Sequence, residues 1–206
     1  MHIEFLVEEL SLQEALDVLL VKILPELITF NIHAFRGKQD LLSKLPNRLK
    51  GYKAWITDDY KIMILIDEDR QNCKELKESL ESMATSSGFI TKSSAKNKES
   101  FQVVNRIVVE ELEAWFFGDV NAIIAAYPRV KKSIRQKSKY RDPDGIKGGT
   151  WEALERVLQD ASYHPGGLEK VKAARDIAPH MNPEENCSKS FQVFYKGLLQ
   201  MISPVS

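Results

Sequence analysis

The stretch Lys61-Ile62-Met63-Ile64-Leu65-Ile66-Asp67-Glu68-Asp69 decides the fold. From Ile62 to Ile66 no polar residue interrupts it, so a strand built from it is apolar on both faces. Such a strand belongs in the centre of a parallel sheet covered by helices on both sides. The run then stops at three acids, which have no place in an apolar layer and mark the strand's carboxyl end.

Outward from this strand, both flanks read as strand–helix pairs. Upstream, His2 to Val7 is a short apolar strand. Ser11, with Glu14 three residues later, has the spacing of a helix N-cap and capping box. Leu12, Ala15, Leu16, Leu19, Leu20 and Ile23 form one helical face that ends at Pro25. Ile28 to Phe35 predicts a second strand, and Gln39 to Leu49 a helix bent or interrupted at Pro46. Downstream, Asn72 to Ser86 predicts an amphipathic helix ending near Gly88. Thr91 to Ser100 predicts an exposed loop, Phe101 to Val109 a fourth strand, and Glu111 to Tyr127 one long helix. Strand and helix alternate throughout, so residues 1–127 predict a doubly wound α/β core with a mainly parallel sheet.

After Pro128 the character changes. Residues 129–141, RVKKSIRQKSKYR, carry seven basic side chains and no acid. Asp-Pro-Asp-Gly and Gly-Gly then mark turns. Helices are expected near 150–161, 167–178 and 189–202. Residues 128–206 therefore predict a basic segment and a small helical appendage packed on the core. His164, before Pro165-Gly166-Gly167, reads as a turn residue. Trp115, Phe116 and Phe117 read as core, and Trp151 as an anchor of the appendage.

The composition narrows the function classes. With 206 residues and 43% hydrophobic residues, the chain is neither collagenous, mucin-like nor wholly disordered. Lysine plus arginine equals aspartate plus glutamate at 29 each, so overall charge makes no case for a polyanionic partner. Cys73 and Cys187 lack metal or disulfide spacing, and the four histidines lack zinc-site spacing. The start MHIEFLVEEL is not a signal peptide, and no apolar run is long enough to span a bilayer. A cytoplasmic protein without membrane association is the expectation.

Charge by segment is more informative. The first strand ends in Glu8-Glu9, the third in Asp67-Glu68-Asp69, and the fourth in Glu110-Glu111 with Glu113 just inside the next helix. In a parallel sheet, the carboxyl ends of strands share one edge, where ligands bind. Acids gathered there repel one another unless a cation intervenes, and carboxylate oxygens suit Mg2+ or Mn2+. Glu8, Glu9, Asp67, Asp69, Glu111 and Glu113 are thus candidate metal ligands. An acid just after a strand also serves as an ordinary helix cap, and each cluster alone is open to that reading. No phosphate-binding glycine loop is present.

These acidic motifs carry a resemblance. Phe5-Leu6-Val7-Glu8-Glu9 resembles the strand-then-glutamate motif of TOPRIM (topoisomerase–primase) domains. Ile64-Leu65-Ile66-Asp67-Glu68-Asp69 resembles their strand ending in Asp-x-Asp. Glu110-Glu111-Leu112-Glu113-Ala114-Trp115, running on to Asp119, resembles the third acidic motif of TOPRIM-like nucleases of the overcoming-lysogenisation-defect type. The whole chain, including GGTWEALERVL and KSFQVF, is similar to the bacterial domain-of-unknown-function family 4276, grouped with TOPRIM-like proteins. It departs from TOPRIM domains at Glu9, where those usually carry glycine, so Glu8 and Glu9 compete for one role.

The resemblance implies a TOPRIM-like fold and Mg2+-dependent (or Mn2+-dependent) hydrolysis of phosphodiester bonds in DNA or RNA. It implies Glu8, Asp67, Asp69 and Glu113 as catalytic residues, and an ATPase as partner protein in anti-phage defence. Nucleic acid would be held by the basic run through Lys131, Lys132, Arg135, Lys137, Lys139 and Arg141, with Tyr140 able to stack a base. Arg36 and Lys38 follow the second strand and fall at the same edge. Lys92, Lys96 and Lys98 are further candidates, while Arg106 lies inside a strand and could pair with an acid. The alternatives are a non-catalytic adaptor that keeps the fold and binds nucleic acid or protein, and an enzyme acting on a small phosphorylated substrate.

Overall fold

A computed structural model describes residues 1–68, 72–96 and 99–203. Among these, β1 (His2–Val7), β2 (Thr29–Ala34), β3 (Tyr60–Asp67) and β4 (Val103–Val108) form one sheet in the order β2-β1-β3-β4, with every pairing parallel. The helices are α1 (Leu10–Ile23), α2 (Lys38–Lys53), α3 (Cys73–Ser86), α4 (Leu112–Gly118), α5 (Val120–Ala126), α6 (Thr150–Asp160), α7 (Lys170–Ile177) and α8 (Lys189–Ile202). This is the doubly wound α/β architecture expected.

Side-chain alternation divides the sheet into two apolar layers. Leu6, Ile62, Ile64 and Ile66 meet Leu41, Leu45 and Leu49 of α2 and Leu76 and Leu80 of α3. Ile3, Phe5, Met63, Leu65 and Val104 meet α1 on the opposite face, together with Trp115, Phe116, Leu154, Ala173, Phe191 and Phe194. The carboxyl-terminal helices thus share one apolar cluster with the strands. Burying side chains of this size contributes roughly 1.5–3 kcal/mol each. That offsets the backbone bond Pro46 removes inside α2, and the helix continues through it, so of the two outcomes expected there the interruption does not occur.

Three local readings are also corrected. Glu9, not Ser11, is the N-cap residue of α1. Ser11 is buried and donates to the Glu9 carboxylate, while Glu14 pairs with Arg175 on α7. The single helix expected over 111–127 is two. Asp119 separates them, accepting from Ala122 N–H at 3.2 Å and from Asn182 N–H at 2.8 Å. Gly118 just before it has no room for a side chain: a Cβ would lie 2.1 Å from Asn186 Oδ1.

The topology places the functional edge. The chain leaves β1 toward β2 and leaves β3 toward β4, so the crevice outside the carboxyl ends of β1 and β3 is the switch point where open α/β sheets bind ligands.

Candidate active site at the carboxyl edge of the sheet

Glu8 directly follows β1 and Asp67 ends β3, adjacent strands on either side of the switch point. They touch: Asp67 N–H donates to Glu8 Oε2 at 3.0 Å. Glu113 stands in the first turn of α4, just beyond β4. Glu8, Asp67 and Glu113 are 7%, 4% and 1% exposed. Burial this deep is costly for a carboxylate unless a donor or cation compensates. Among the described residues neither oxygen of Glu113 has a hydrogen-bond partner. Burial pushes its pKa up to about 7; Glu111 and Glu9 push the same way and Lys170 pulls against them.

Lys170, the first residue of α7, is the feature that sequence reasoning did not find. Its ammonium lies 3.3 Å from Glu111 Oε1. Burial works to deprotonate it, but Glu113, Glu9, Glu111 and Asp67 together outweigh that and hold it protonated. Acids from the ends of β1, β3 and β4 therefore converge electrostatically on one ammonium. Nothing local in the sequence marks Lys170, because its partner Glu111 lies 59 residues away.

The remaining acids are more committed. Glu111 Oε2 accepts from Thr150 Oγ1 at 3.1 Å and from Trp151 N–H at 3.2 Å, tethering the start of α6, while Oε1 faces Lys170. Glu9 takes the Ser11 hydroxyl. Glu68 ties the edge together, accepting from Cys73 Sγ at 2.6 Å and from Glu110 N–H at 3.3 Å. Asp69 lies outside the described residues, as does Lys98.

For a divalent cation, the donor chemistry fits. The oxygens of Glu8, Asp67 and Glu113 are hard ligands, and the two bare oxygens of Glu113 would gain most from a cation. Among the described residues no group of three or more histidine, cysteine, aspartate or glutamate side chains is spaced as a ready metal cage. Mg2+ does not require one. It binds through one or two carboxylates and completes its shell with water and substrate phosphate oxygens.

The cations fall into two groups. Lys38 opens α2 at the acidic edge and donates to Glu68 O at 3.1 Å, with Arg36 exposed beside it. In the basic run, Arg129, Lys131, Lys132, Arg135, Lys137, Lys139 and Arg141 are exposed, while Val130, Ile134 and Tyr140 anchor it. The run follows α6. Arg129, Lys131 and Lys137 border a hollow of about 280 Å3 with Val157 and Ala161, and Lys139 borders one of about 370 Å3 with Ala153 and Arg156. Helix α6 is about 16 Å long at 1.5 Å per residue, and its first residues touch Glu111. The run thus leads along one helix toward the acidic edge.

Two expectations fail here. Tyr140 is buried and stacks on Phe117 at 4.7 Å, so it has no face for a base. Among the described residues Arg106 pairs with no acid directly; it donates to the carbonyls of Asn105 and Val193. Lys92 reaches Gln200 on α8, and Lys96 is exposed. Trp115, Phe116 and Phe117 are buried, as expected of core residues.

A family model described as a domain of unknown function, DUF4276, matches residues 7–199. The chain belongs to the DUF4276 family. The match spans both the sheet and the carboxyl-terminal helices, so the DUF4276 unit includes Glu8, Asp67, Glu113 and Lys170 together. No curated protein and no solved structure matches the chain. Among the described residues no helix is long and apolar enough to cross a membrane.

Proposed function

We propose that this DUF4276 chain is a Mg2+- or Mn2+-dependent nuclease hydrolysing phosphodiester bonds of DNA or RNA. The observation that carries this is the set of buried carboxylates around the switch point, with Glu113 lacking a partner for either oxygen among the described residues. The TOPRIM-like relationship is part of this reading, on the strength of Glu8 after β1 and the Asp67-x-Asp69 motif. So is an ATPase partner in anti-phage defence.

A divalent cation held by one or two of the carboxylates Glu8, Asp67 and Glu113, with Asp69 as a further candidate and water and substrate oxygens completing the shell, would polarise the phosphoryl oxygens and lower the pKa of an attacking water. Burial raises the Glu113 pKa to about 7, so a metal held there would have to compete with a proton near neutral pH. Lys170, kept charged by its acidic neighbours, faces the charge that builds on the phosphoryl group. Glu111 and Thr150 keep the first turn of α6 against the site, and the basic run along that helix receives the substrate backbone.

The test is cleavage of plasmid DNA and of RNA by the purified chain with Mg2+ or Mn2+. Asp67→Ala lowers the rate at least about a hundredfold if Asp67 holds metal against the reacting phosphate. Equal activity in the variant overturns the assignment. One observation favours the adaptor reading: Lys170 already supplies a positive charge among the acids. Nucleic-acid binding without Mn2+ binding at millimolar metal, measured by calorimetry, would decide for the adaptor. Turnover of a small phosphoester with polynucleotides left intact would point to a phosphatase.

A further inference from the structure

Helix α7, which carries Lys170, is gripped at both ends by one hydrogen-bonded relay. Tyr127, at the carboxyl end of α5, donates its hydroxyl proton to Asp176 Oδ2 at 2.8 Å in the last turn of α7. The same hydroxyl lies 2.9 Å from His164 Nε2. With its only proton given to Asp176, the Tyr127 oxygen can only accept from His164, so Nε2 carries the imidazole proton. His164 Nδ1 is then bare, and it accepts from Glu169 N–H at 3.4 Å. Glu169 is the N-cap residue of α7, and Lys170 is the next residue.

His164 is 7% exposed and adopts φ +48°, a left-handed conformation uncommon outside glycine, asparagine and aspartate. The surroundings that hold it there also aim its ring at both Tyr127 and α7. Its sequence context, next to Pro165-Gly166-Gly167, explains the turn and not the relay.

We propose that His164 is a positioning residue, which through Tyr127 and Glu169 fixes the start of α7 so that Lys170 stands among Glu9, Asp67, Glu111 and Glu113. Two other contacts set the helix direction: Arg175 on Glu14 of α1, and Leu168 N–H on Glu155 of α6. His164 alone links the N-cap of α7 to the Tyr127–Asp176 pair among these contacts. The consequence for turnover rests on the nuclease reading above; the placement of Lys170 does not.

The experiment reads Lys170 directly. The whole protein is treated briefly with N-hydroxysuccinimidyl acetate, and acylation of each lysine is measured by mass spectrometry. In the wild type Lys170 reacts slowly, because its ammonium is held against Glu111 and only partly reached by solvent. His164→Ala removes both contacts and raises Lys170 acylation about tenfold, while Lys61, which donates to Phe101 O at the start of β3 and touches no member of the relay, is unchanged. His164→Asn keeps an acceptor for Glu169 N–H but not the contact with Tyr127, tolerates positive φ, and brings the rate part of the way back. Should His164→Ala fail to fold, Tyr127→Phe removes the bridging hydroxyl and gives a smaller rise at Lys170.

An unchanged Lys170 rate in either variant overturns the proposal. So does a rise shared with Lys61 and the largely buried Lys77, which would report general loosening. Nuclease assays on the same samples keep the two ideas apart. A wild type without nuclease activity but with the Lys170 pattern ends the nuclease reading and leaves the positioning role standing.

Discussion

Two regions of the sheet each bury a glutamate, and they treat it in opposite ways. In the amino-terminal half, Glu4 of β1 is 4% exposed, yet both oxygens are supplied. His2 Nε2 lies 3.1 Å and Asn31 Nδ2 3.3 Å from Oε1; His33 Nε2 lies 2.6 Å and Tyr52 Oη 3.0 Å from Oε2. Burial alone would raise its pKa, but the bonds from His33, Tyr52 and Asn31 outweigh it and the net shift is downward. At the carboxyl edge, Glu113 is equally buried, finds no donor among the described residues, and shifts upward to about 7. A satisfied carboxylate belongs to the fold. One left without donors costs stability, which is the mark of a site that a ligand or cation completes.

This contrast can be tested in metal-free buffer. The largest effect is expected at Glu113. Its folded pKa, about 7, exceeds the ordinary value of 4.5, so the folded chain holds a proton that the unfolded chain releases. Stability should therefore fall as pH rises from about 4.5 to about 7 and level off above. The cost is about 3 kcal/mol, at 1.36 kcal/mol per pKa unit. Glu113→Gln should abolish that slope and raise stability at pH 8 by up to this amount in urea titrations. A variant with the wild-type pH slope would break the contrast.

Next in size is Glu4→Ala. It strands the buried hydroxyl of Tyr52 and frees Asn31 and His33 to water, and should destabilise by about 2 kcal/mol while leaving Mn2+ binding unchanged. Altered Mn2+ affinity would place Glu4 in the site after all. Because the Glu4 pKa is lowered, its contribution is present above about pH 4.5 and is lost as pH falls through the folded value. The smallest effect is expected from Tyr52→Phe, which removes one bond to a charged acceptor. About 1.5 kcal/mol should be lost, and the acid transition should move to higher pH; an unchanged acid limb would show that Tyr52 does not hold Glu4 ionised.

How much of this was legible beforehand depended on the range of the forces involved. The bounds of β1 match the sequence reading because Ile3, Phe5, Leu6 and Val7 have no alternative to burial, whereas the partners that let Glu4 be buried among them were not legible. The acids Glu8 and Asp67 were placed correctly at one edge by parallel topology alone. The break at Asp119 was not legible: an aspartate inside an apolar helical pattern signals a helix end only when Asn182, 63 residues on, supplies the second donor. Tyr140 shows the reverse error, since an aromatic among lysines looks available for stacking until Phe117 covers it.

By itself, then, the sequence determined the order of strands and helices, the two-faced burial of β3, and the gathering of acids at strand ends, because these follow from side-chain periodicity over a few residues. Only the tertiary structure decided which buried carboxylate is satisfied and which is not, and that the counter-charge at the site is Lys170 from the carboxyl-terminal helices. Hydrogen bonds and charge pairs act over a few ångströms in space between residues tens of positions apart, so the folded chain alone can pair them.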